Sequence, residues 1–75
     1  MSITGLFAAL IEGFSLAVEQ VPDEMVKKKL REHIEKLKDY VKELEGGIIN
    51  RDQVIKELKY EMEQLRNLLK EKGEL

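Results

Sequence analysis

The side chains able to do chemistry are a basic run, one histidine and a scatter of carboxylates. Lys27-Lys28-Lys29-Leu30-Arg31 is the sharpest charge cluster in the 75-residue chain. Such a cluster can contact an anionic partner, nucleic acid included. However, Glu32, Glu35 and Asp39 follow directly, and no aromatic residue is interleaved to stack on bases. A solvated or partner-facing helix surface is the stronger reading. Lys27, Lys28, Lys29 and Arg31 remain candidate contacts for an anionic partner, with nucleic acid ranked low.

His33 is the only histidine and there is no cysteine, so neither a histidine cluster nor a thiolate metal site is available. His33 reads as a satisfied boundary residue. The pairs Glu32–Lys36 and Glu63–Arg66 have ordinary helix-surface spacing, worth roughly a few tenths of a kcal/mol. There is no glycine-rich phosphate loop, no recognisable nucleophile–base pair and no pocket-forming loop to desolvate an acid or base. The expectation is a protein without catalytic, cofactor or metal residues.

Composition says what must position these groups. Charged residues make up 37% of the chain, the net charge is −2, and there is one proline and no tryptophan. That balance fits solvent-washed helices, and no β-branched alternation suggests a strand. A chain this short has a marginal core, which leaves oligomerisation or very regular helix packing to stabilise it. The apolar segment Leu6–Ile11 is too short to span a bilayer, and no Lys or Arg precedes it as in a secretory signal. A soluble, cytoplasmic, all-α protein is expected.

Residues 1–22 read as an apolar amphipathic helix and turn. Polar or small residues at Gly5, Ala8, Glu12, Ser15 and Glu19 leave a broad face of Leu6, Phe7, Leu10, Ile11, Phe14, Ala17, Val18 and Val21. Leu16 lies outside it. Ser2 or Thr4 can cap the start. Pro22 ends this helix and suits the first turn of another, where Asp23 and Glu24 favour the N-terminus. The face serves either to pack against the following helix or to bind another protein. Membrane insertion is disfavoured because the polar side carries only glutamates.

Residues 23–75 carry a heptad repeat. Taking Ile34 as position a, Val41, Ile48, Ile55, Met62 and Leu69 follow at a. Leu30, Leu37, Leu44, Arg51, Leu58 and Leu65 fall at d, so Arg51 is the one charge in the seam. Mostly β-branched a residues with leucine at d suit a parallel two-stranded coiled coil. Glu61 at g and Arg66 at the next e could then pair across the dimer. The stretch Arg51–Leu69 resembles leucine-zipper segments such as those that dimerise cyclic-nucleotide-dependent kinases, through Arg51-Asp52 followed by Ile55, Leu58, Met62 and Leu65. That resemblance covers under a third of the chain and implies self-association.

Gly46-Gly47 decides between two architectures. The step from Leu44 to Ile48 keeps the heptad phase, favouring one continuous helix of roughly 70 Å over residues 24–72. Glycine is also the commonest helix stop, and Asn50 with Gln53 could form a capping box, with Ile49 and Val54 as a staple. That alternative is a three-helix bundle of about Ile3–Val21, Asp23–Glu45 and Arg51–Lys72. The phase argument favours the long helix: a homodimeric or higher-order coiled-coil interaction module, with the N-terminal helix as cap or partner-binding surface. A three-helix adaptor that binds a larger protein is the competing reading.

Overall fold

The computed structural model describes residues 2–47 and 50–73, and among them every regular element is a helix. The first, α1 (Ile3–Glu19), starts where Ser2 is extended and its Oγ accepts the Gly5 N–H at 3.1 Å. Its end is closed by Gln20 and Val21 N–H groups donating to Ala17 and Val18 carbonyls. Pro22 then breaks the path. Asp23 restarts it, its Oδ1 accepting the Met25 and Val26 N–H groups at 2.9 and 3.2 Å at the head of α2 (Glu24–Gly46). Ordinary helix-end chemistry thus accounts for the first turn.

The second turn corrects the expectation of a continuous helix over residues 23–75. Beyond α2, Gly47 takes φ 62°, ψ 18°, the left-handed conformation that glycine adopts without a Cβ penalty. Its N–H donates to the Leu44 carbonyl at 3.3 Å. Asn50 then caps α3 (Arg51–Glu71), its Oδ1 accepting the Gln53 N–H at 3.2 Å. The box is not reciprocal, because Gln53 Nε2 donates forward to Glu57 at 3.0 Å. Ile48 and Ile49, including the latter's expected staple contact, lie outside the described residues. The longest dimension is 38 Å, about the length of α2 itself and far short of a 70 Å rod.

The helices form a three-helix bundle with α2 in the middle. α1 and α3 each pack along α2 and touch one another much less. Phe7, Ile11, Val18 and Val21 join Leu30, Ile34, Leu37, Val41, Leu58, Leu65 and Leu69 in one buried cluster. Leu44, Ile55 and Met62 pack partly buried against it. The seam drawn from the sequence as an interface between chains is therefore closed inside one chain. A short connection holds α3 beside α2 at high effective concentration, so the same a and d side chains meet without a partner. Arg51, the intrusion at d, sits exposed in the first turn of α3.

Candidate interaction surface on the first helix

The broad apolar face of α1 is divided between the core and solvent. Successive residues turn by 100°, so Phe7, Ile11 and Val18 share the side pressed into the bundle. Leu6 and Leu10 lie round the helix from them and keep 48% and 44% of their surface exposed. Leu16, farther round, is 63% exposed. Ala9 and Gly13 lie between these leucines, and a Cβ built on Gly13 meets nothing within 4 Å. A continuous apolar strip is thus left uncovered along a helix with no Lys or Arg.

Because α1 leans on α2, a cleft of about 580 Å³ opens between α1 and α3. Its α1 wall is Ile3, Leu6, Phe7, Leu10 and Phe14, and its α3 wall is Lys59, Met62, Glu63 and Arg66. The floor is apolar and the rim is charged. Arg66 is 3.8 Å from Glu63, whereas Lys59 has no ion pair among the described residues. On the other flank of α1, a smaller hollow of about 300 Å³ is lined by Ser15, Val18, Ile34 and charged neighbours. The Arg31–Glu19 pair, 2.9 Å apart, belongs to that side.

The basic cluster is partly committed. Arg31 is held by Glu19, and Lys27 lies 3.4 Å from Glu24. The hydrogen bond from Arg31 is the main cause holding the Glu19 carboxyl below its ordinary value, and the same bond raises Arg31. Lys28 and Lys29 have no ion pair among the described residues. Two of the four cations are thus paired with carboxylates of this chain and two are not, among the described residues.

Between α2 and α3, Glu61 accepts a hydrogen bond from Lys36 at 2.9 Å and lies 3.6 Å from His33 Nδ1, its own side chain only 12% exposed. That hydrogen bond raises the Lys36 ammonium above the usual lysine range. This corrects two sequence expectations. Glu61 pairs within the chain rather than with Arg66 of another copy, and Lys36 reaches α3 rather than Glu32. His33 is a half-buried boundary residue against α3.

The structure also buries Val54 and packs Val26, Tyr40 and Leu68 against the core. These four share heptad position g. Their apolar character was the available sign of a bundle, since a face three positions wide exceeds what a two-stranded seam covers. Among the described residues, no three of His, Cys, Asp and Glu gather as a metal site would require, and no helix is long and apolar enough to cross a membrane. No family model, curated protein or solved structure matches the chain.

Proposed function

We propose that this chain is a non-enzymatic protein–protein interaction module, a three-helix adaptor in which α2 and α3 are the frame and α1 carries the binding surface. One observation carries the reading: Leu6, Leu10 and Leu16 stand exposed on a single cation-free helix that borders an apolar cleft. Scattered surface leucines are ordinary, but a contiguous strip rimmed by charge marks an interaction face. The ionisable groups fit the same reading, since Arg31, Glu19 and Lys36 shift through surface pairing rather than through enclosure in a reactive pocket. A photo-crosslinker placed at Leu10, and at Lys42 as a control, tests it in cells that express the protein. A discrete adduct from Leu10 alone is expected. No adduct, or equal adducts at both sites, would refute the reading.

The preserved heptad phase supports a second, dimeric reading. If the hairpin at Gly47 opened, Leu30 to Leu69 could pair with another chain in the continuous coil read from the sequence. Spin labels at Lys28 and Lys70, measured within one chain diluted in unlabelled protein, separate the states. Packed antiparallel helices give about 10–20 Å, and an open helix gives roughly 60 Å.

A further inference from the structure

We propose that two copies of this chain pair through α1, the α1 of each seating on the other's α1 and in its cleft beside α3. The proposal rests on the interaction reading above and names the partner. Leu6, Leu10 and Leu16 are too widely spread round α1 for one flat contact: at 100° per residue, Leu10 and Leu16 stand about 120° apart. One helix lying against Leu6, Leu10 and Gly13 leaves Leu16 on its far flank. A second copy related by a two-fold axis along the helices resolves this. In that pairing the flank bearing Leu16 turns towards the other copy's α3, where Met62 and the stem of Lys59 form the cleft wall. Every exposed leucine of α1 is then covered by one symmetric contact. Ala9 and Gly13 allow the two helices to approach closely, with open space over Gly13 to receive the neighbour.

Charge points to the same occupant. Glu12 lies about 40° from Leu16 and one turn away, and Glu19 is already held by Arg31. A copy that places Leu16 against Met62 therefore brings Glu12 over Lys59, which has no ion pair among the described residues. A lipid surface lacks this match, because α1 has no cation to meet anionic headgroups.

The available area sets the strength. A standard interface takes about 800 Å² per partner, a modest share of the 5183 Å² that this chain exposes. A 17-residue helix runs about 26 Å, so the α1 strip and cleft reach only the lower end of that class. The pairing is accordingly reversible.

Sedimentation velocity on the full chain from about 5 to about 500 µM brackets an interface of this class. The mass is expected to rise from 8.7 kDa towards twice that value. The double variant Leu10→Glu/Leu16→Glu, altered only at exposed positions, should keep its helical circular dichroism and stay monomeric throughout. Glu12→Lys should weaken pairing about fivefold, and adding Lys59→Glu should restore it, as a rim ion pair allows. A wild-type chain that stays monomeric, a leucine variant that pairs like wild type, or an inert Glu12→Lys each overturns the proposal. A monomeric wild type whose Leu10 crosslinks to a different protein overturns self-pairing and leaves the interaction reading standing. Absence of any adduct overturns both.

Discussion

Arg31 grips Glu19 through two hydrogen bonds, Nε to Oε1 at 3.0 Å and Nη2 to Oε2 at 2.9 Å, tying the last turn of α1 to α2. The planar guanidinium matches a carboxylate in this two-point geometry, which a lysine cannot reproduce. The pair joins the end of α1 to α2 at the surface, beside the buried Val18 and Val21 that seat that end in the core.

Because Glu19 is held below its ordinary value of 4.5, the folded state favours the carboxylate. Its contribution is complete above 4.5 and is lost as pH falls through the depressed folded value. The protection of the α1 C-terminal amides against hydrogen exchange, taken relative to the intrinsic rate at each pH, should therefore fall selectively below pH 4.5. Arg31→Lys should show a weaker response, since it starts without the two-point clamp.

At Gly47 the left-handed backbone makes substitution directional. Gly47→Ala should destabilise the bundle by about 1 kcal/mol, since a Cβ strains that conformation. Gly47→Asn should cost less. Thermal denaturation reads the difference as roughly 4–8 °C per kcal/mol for a chain of this size.

Leu58 and Leu16 have the same side chain and opposite fates. Leu58 has no exposed surface, so Leu58→Ala should cost about 2–5 kcal/mol, enough to unfold much of so small a domain. In the monomer, Leu16→Ala should stay within about 0.5 kcal/mol of wild type. Urea titrations at low protein concentration would compare them without self-association.

The same pair shows what the sequence could reveal. Heptad spacing identified Leu58 as buried but not by what, because a and d side chains fill the same holes whether the facing helix is their own or another's. The turn at Pro22 and Asp23 was legible, since proline and an acidic cap allow little else. That at Gly47 was legible only as the alternative, through the glycine stop and the Asn50 cap, because the connecting residues also preserve the repeat. The α1 face was legible as apolar, yet its division into buried Phe7, Ile11 and Val18 and exposed Leu6 and Leu10 depends on how far α1 leans from α3. No periodicity encodes that lean.

Ser15 offers an independent check on how α1 seats. Its Oγ is buried and has no hydrogen-bond partner among the described residues. Removing an unpaired hydroxyl relieves its desolvation, and alanine is the better helix former. Ser15→Ala should be neutral or stabilising by up to about 1 kcal/mol, measured by chemical denaturation.

The central position of α2 has a kinetic consequence. Nearly all helix pairing in the bundle joins neighbours along the chain, with little between α1 and α3. Folding then needs only two short loop closures, and no distant segments must find one another. Such low contact order places folding in the microsecond-to-millisecond range, which temperature-jump relaxation can read. A newly made chain would hide its eleven-residue apolar cluster almost as soon as the last helix emerges.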